Sequence, residues 1–155
     1  MTEPNESPTP GFLVWRLSMK MRAAVDRAVA ELGLTHAQYS LLASLYGMQR
    51  SGERPSQRRL AEHTGLEPIY VSKLARTLAT AGFVERVSNP ADSRAVQLSL
   101  TAHGADVAKR AIAIVHGLQE RLTEPIGGLN ARQTKTFVRT LQTLLAQDVD
   151  LPAKE

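Results

Sequence analysis

The stretch SQRRLAEHTGLEPIYVSKLARTLATAG, Ser56 to Gly82, holds two short helical patterns with a sharp turn between them. Ser56 is placed to cap the first helix, Leu60 and Ala61 are its inward positions, and Gly65 is placed to stop it. Pro68 suits the first position of the second helix, and Gly82 ends it. Val71, Leu74, Ala75 and Leu78 form one apolar face of that second helix. The opposite face presents Ile69, Tyr70, Ser72, Lys73, Arg76 and Thr77. Two short helices joined by a glycine-containing turn match the helix-turn-helix pattern.

The chain on either side extends this reading. Downstream, Phe83 to Ser88 reads as a strand and Ala95 to Leu100 as its partner, since Val96, Leu98 and Leu100 alternate with Gln97 and Ser99. The linking NPADSR, Asn89 to Arg94, is turn chemistry throughout. Thr101 caps a long helix carrying Val107, Ala108, Ala111, Ile112, Val115, Leu118 and Leu122 on one face, interrupted early by Gly104. After IGGLN, Asn130 with Gln133 predicts a capped last helix bearing Phe137, Leu141, Leu144 and Leu145. Upstream, Phe12 to Leu32 is helical, with Val14, Leu17, Met21 and Val25 on one stripe and Phe12, Trp15 and Met19 on another. LTHAQYSLLASLYGMQ follows, where Thr35 and Gln38 form a capping box and SGERP closes the helix near Arg50.

The fold class is therefore mainly α with a small β-hairpin wing. The parts are a floppy N-terminal arm over 1–10, a winged helix-turn-helix centre over 35–100, helical regions over 11–34 and 101–147, and a tail over 148–155. The terminal helices are too apolar for so small a centre to cover, so they are expected to cover each other across a dimer. That expectation falls on Phe12, Val14, Leu118, Leu122, Phe137, Leu141, Leu144 and Leu145.

Composition narrows the function classes. The 155 residues carry a formal net charge of +4, with a pI of about 9.8, which permits nucleic-acid binding without demonstrating it. There are no cysteines, so disulfides, thiolate metal sites and thiol redox switches are excluded. The four histidines, His36, His63, His103 and His116, are not at metal-ligand spacing, and no cofactor or metal is expected. No Gly-rich nucleotide loop, nucleophile elbow or metal motif points to an enzyme; Gly127 and Gly128 read as an interhelix breaker. The polar, Pro-rich start is no signal peptide and no apolar run spans a membrane, which predicts a soluble cytoplasmic protein.

Three stretches together resemble the multiple-antibiotic-resistance regulator (MarR) family of bacterial transcription factors. LTHAQYSLLASL, Leu34 to Leu45, is similar to the family's second helix. Ser56 to Val87 resembles its helix-turn-helix and first wing strand, and NPADSRAVQLSLTAHG, Asn89 to Gly104, resembles its wing and the start of its fifth helix. The last is the most specific: an Asp-x-Arg tip, an alternating strand, then Leu-Thr-x-x-Gly. The similarity runs from about residue 12 to residue 147.

The resemblance implies a winged helix-turn-helix homodimer, a ligand-responsive repressor of a near-palindromic operator. Ile69, Tyr70, Ser72, Lys73, Arg76 and Thr77 would then enter or rim the major groove. Ser56, Gln57 and Arg58 would offer a helix N-terminus and a charge to a phosphate. Arg94 would enter the minor groove, Asp92 would brace Arg94 or Arg86 or cap the turn, and Arg86 would be a secondary phosphate contact. Effectors of the family bind between the dimer helices and the DNA lobe, which makes Trp15, His36 and Tyr39 pocket candidates. The sequence departs from the family pattern at Ile69 and Tyr70, where small hydroxyl residues are usual, and at Lys73, where arginine is usual. The relatives' base preferences are therefore not transferable. A helical small-molecule-binding or interaction module without specific DNA binding is the alternative.

Overall fold

A computed structural model describes residues 7–150, apart from the side chains of Asn89, Ser93 and Arg94. The first and last few residues of the expected arm and tail, and the side chain of Arg94, lie outside the described residues. Among the described residues six α-helices and one hairpin follow in order: α1 Pro10–Val29, α2 His36–Arg50, α3 Gln57–Thr64, α4 Pro68–Thr80, β1 Val84–Asn89, β2 Asp92–Leu100, α5 Ala102–Thr123 and α6 Arg132–Leu145. The chain forms two compact units, one ending at Val115 and one beginning at His116, so the boundary falls inside α5.

Local chemistry sets most of the helix ends. Thr9 caps α1 through its hydroxyl, which accepts from the Phe12 N–H at 3.3 Å, and Pro10 then supplies a preset first position. The helix thus starts two residues before the expected Phe12 and takes Pro10 out of the arm. Its last turn tightens into a 3-10 turn, Ala30–Leu32, which ends at Gly33 with φ 74°. At α2 the capping box forms as the spacing predicts: the Gln38 N–H donates to Thr35 Oγ1, and the Thr35 N–H donates to Gln38 Oε1. Ser56 caps α3, and Gly65 closes it at φ 73°.

Two expectations are corrected. The last helix is not capped by Asn130. Its N-cap is Ala131, which makes no side-chain cap bond. The chain instead turns through Gly127 and Gly128, both at positive φ, and the Thr134 hydroxyl reaches back to the Gly128 carbonyl at 2.6 Å. That bond places the helix start beyond Asn130. The second correction is the wing tip. Only Pro90 and Ala91 form the turn, because Asn89 pairs with Asp92 and the ladder then jumps from Asp92 to Val96 opposite Ser88. Ser93, Arg94 and Ala95 make a bulge inside β2 rather than a loop before it.

Among the described residues the apolar core lies in the first unit. Leu41, Leu42 and Leu45 from α2, Leu60 from α3, Val71 and Leu78 from α4, and Val84 and Leu98 from the hairpin are buried, as are Val107, Ala108 and Ala111 of α5. The spacing of these residues is the helical and strand periodicity of the sequence made solid. In the second unit the buried side chains among the described residues are Thr123 and Thr134, both polar.

Two anchors hold the hairpin. Gln49 of α2 accepts the Leu100 N–H at 2.8 Å, and the Pro55 carbonyl accepts the Leu98 N–H at 3.2 Å, with Ser56 bridging to Gln97. Directly after Leu100, Thr101 joins three elements. Its hydroxyl donates to the Gly82 carbonyl at 2.6 Å and accepts the Gly104 N–H at 2.9 Å, while its own N–H donates to Phe83 O at 3.1 Å. Gly104 allows this approach: a Cβ there would overlap the Phe83 carbonyl, whose carbon would lie 2.7 Å away.

At the α1–α2 corner the His36 N–H donates to Asp26 Oδ1 at 2.5 Å. Burial pushes the His36 imidazole below its ordinary value of 6.5; the nearby Asp26 carboxylate opposes that shift and Arg22 adds to it.

Two outcomes follow for stability. Alanine is the better helix former by about 1 kcal/mol, so Gly47→Ala in α2, where nothing lies within 4 Å, should raise stability by up to that amount. Gly104→Ala should lower it by about 1–3 kcal/mol, because overlap with a backbone carbonyl outweighs propensity. Urea titrations of both variants check the pair of signs. Because the folded protein disfavours protonated His36, stability should be complete above pH 6.5 and fall as pH drops through the lowered folded-state value. His36→Gln should flatten that part of a midpoint-against-pH curve.

Candidate nucleic-acid interface

Helix α4 is divided lengthwise. Val71, Leu74, Ala75 and Leu78 are buried, and Ile69, Tyr70, Lys73, Arg76 and Thr77 are exposed, with Ser72 at the margin. The five exposed residues thus project together from one helix held by its apolar back. Within that face, Arg76 donates to Ser72 Oγ at 3.4 Å, and the Thr77 hydroxyl bonds back to the Lys73 carbonyl at 3.2 Å. Thr77 therefore spends its hydroxyl proton on its own helix, while Lys73 and Arg76 carry charge outward.

Helix α3 shows how capping and contact divide the same residues. Ser56 Oγ accepts the Arg59 N–H at 3.1 Å, so Ser56 is a cap. Gln57 Nε2 is buried without a hydrogen-bond partner among the described residues. Arg58 pairs with Glu62 at 3.4 Å, with its side chain 87% exposed. A pair so exposed is worth little, so the guanidinium gives up little on turning to another anion. Sequence reasoning passed over Arg59, which is held by Glu53 at 2.9 Å, and Gln49, which fixes β2. No periodicity marks a polar helix residue that reaches a strand 51 positions away.

In the wing, Arg86 stands opposite Leu98, on the face that also carries Val84, and Asp92 stands opposite Asn89. Both are exposed. The Arg94 backbone belongs to the β2 bulge.

The expected ligand residues are spread out. Trp15 is exposed and its ring meets Phe12 at 6.2 Å. His36 and Tyr39 open α2 half-buried, and burial raises the Tyr39 phenol above its ordinary value of 10.0. Trp15 precedes Asp26, the partner of His36, by eleven residues, or about 16 Å of helix. Among the described residues no ring contact joins Trp15 to His36 or Tyr39. A cavity of about 320 Å³ opens between the α2–α3 loop and the wing, lined by residues that include Glu53, Arg54, Val87 and Gln97. The expected dimer residues Phe12, Val14, Phe137, Leu144 and Leu145 are exposed, and Leu118, Leu122 and Leu141 are half-buried. No helix among the described residues is long and apolar enough to cross a membrane.

A model of the MarR family matches residues 32–95, which run from the turn before α2 into the wing. The uncharacterized HTH-type transcriptional regulator YdcH of Bacillus subtilis is 37% identical over 145 residues, 94% of each chain. The HTH-type transcriptional repressor Rv2887 of Mycobacterium tuberculosis is 33% identical over 134 residues, 86% of this chain and 91% of its own. The crystal structure of Rv2887 in complex with salicylic acid superposes with a TM-score of 0.63 at 30% identity, over 90% of this chain and 98% of that one. The fold alone is also shared with the S. aureus MepR–DNA complex, at a TM-score of 0.79 and 21% identity over 90% of this chain and 98% of that one. A helix-turn-helix with its apolar back buried, a hairpin wing clamped beside it and relatives of nearly equal length give one conclusion: the chain belongs to the MarR family of winged helix-turn-helix transcriptional regulators.

Proposed function

We propose that this protein is a homodimeric repressor that binds near-palindromic operator DNA in the cytoplasm and is released by a small-molecule effector. The carrying observation is the exposed face of α4, where Lys73 and Arg76 stand out from a helix whose other side is sealed into the core. Such a helix fits the major groove, and its cations serve phosphates or guanine edges. Residues 35–100 form the DNA lobe, and 11–34 with 101–147 form the dimerisation region.

Each remaining contact has a physical reason. Arg58 and the α3 N-terminus meet phosphate, with Ser56 holding the turn and Gln57 beside it. Tyr70, Ser72 and Thr77 rim the groove. Arg94, in the bulge, enters the minor groove, with Asp92 as its brace and Arg86 as a further phosphate contact. A bulge re-aims side chains in this way.

The dimer rests on the second unit. Helix α6 exposes Phe137, Leu144 and Leu145, Leu145 at 85%, and among the described residues its unit buries no large apolar side chain. A second copy supplies the missing cover, with Leu118, Leu122 and Leu141 in the same seam and Phe12 and Val14 offering a further apolar surface. Two recognition helices then sit about 34–36 Å apart on one face of the duplex. The effector reading follows the Rv2887 complex with salicylic acid, with Trp15, His36 and Tyr39 as pocket residues. An effector acts by binding better to a dimer whose lobes are wrongly spaced for DNA. None of these roles needs a catalytic group.

Gel retardation of DNA flanking the protein's own gene, over a salt series with competitor present, tests the reading. Specific retardation that weakens steeply with salt is expected, and its absence at low salt would count against DNA binding. Arg94→Ala should cost about 1–3 kcal/mol of operator affinity with the dimer intact. Unchanged binding would remove Arg94 from the interface. Leu144→Glu should weaken dimerisation in analytical ultracentrifugation by placing a charge in an apolar seam.

A further inference from the structure

Ile69 is 79% exposed, more than any other large apolar side chain of the first unit among the described residues. Nothing in the fold asks for it. Its side chain is scarcely covered, and a β-branched residue is a poorer helix former than many polar ones. Its position is nevertheless well fixed. It is the second residue of α4, and Pro68 before it presets the entry into the helix. Ile69, Lys73 and Arg76 stand four and seven positions along the same stripe, so the isoleucine leads a cationic row.

That placement selects its partner. The residues at the N-terminal end of a recognition helix are the ones that meet base edges. Charges at Lys73 and Arg76 draw the helix onto the phosphate-flanked groove. Among base edges in the major groove, the thymine C5-methyl is the apolar group. Seating Ile69 against the polar edge of a G·C pair would strip water from donors and acceptors and return no hydrogen bond.

We propose that Ile69 reads a thymine methyl once in each operator half-site. The proposal rests on the DNA-binding reading above and adds to it the base and the atom recognised.

The test begins with selection of bound sequences from a random duplex pool, followed by replacement of each half-site thymine by deoxyuridine, which lacks only the methyl. At one thymine per half-site the replacement should weaken binding by about fourfold, the worth of one methyl-sized apolar group. Ile69→Ala, checked for unchanged circular dichroism and dimer mass, should bind the thymine and deoxyuridine duplexes equally. Wild-type protein that tolerates deoxyuridine at every position would overturn the proposal and leave DNA binding standing. Sensitivity that persists in Ile69→Ala would assign the methyl to another residue. A pool with no enriched sequence would overturn both readings.

Discussion

The hydroxyl of Thr101 ties the end of α4 to the start of α5. It donates to the Gly82 carbonyl at the end of α4 and accepts the Gly104 N–H at the start of α5. Its backbone N–H meanwhile closes on the Phe83 carbonyl as β1 begins. A short side chain with one donor and two lone pairs suits this task. The recognition helix, the wing and the long helix therefore diverge from one hydrogen-bonded knot. Gly104 completes it, since a side chain there would collide with the carbonyl that Thr101 uses. The Gln49 and Pro55 anchors hold Leu100 and Leu98 of β2 at this same end of the hairpin, next to the knot.

Much of this was legible in the residues, and where it was not the reason is physical. Caps announce themselves because they act over three residues: Thr35 with Gln38, Ser56 with Arg59 N–H, and Gly65 with its positive φ all stand where the spacing puts them. The buried face of α4 follows its periodicity residue for residue. Asn130 misleads because its cap signal is local, while the hydroxyl of Thr134 reaches six residues back to the Gly128 carbonyl. The wing tip misleads for a related reason. Turn-forming residues also tolerate bulges, and only cross-strand pairing decides between them.

The candidate site divides along the same line. Which residues of α4 face outward is a matter of helical period and could be read directly. Which of them keep a free hydrogen-bonding group could not, because Thr77 and Ser72 are engaged by neighbours four residues away on the same helix. Trp15, His36 and Tyr39 are grouped by resemblance alone. The fold sets His36 beside Asp26 and leaves the indole of Trp15 against Phe12.

The second unit has a consequence beyond assembly. Its buried side chains among the described residues are two threonines, and Phe137, Val138, Leu144 and Leu145 of α6 stand exposed. A helix of 14 residues is marginal in water unless an apolar face finds cover. Cover drawn from another chain makes the helix's folding second-order in protein, so thermal stability rises with concentration. Below the concentration at which pairs persist, α6 would fray and expose its backbone to proteases. Turnover would then be fastest when the regulator is scarce, a sharpening of dose response that needs no ligand.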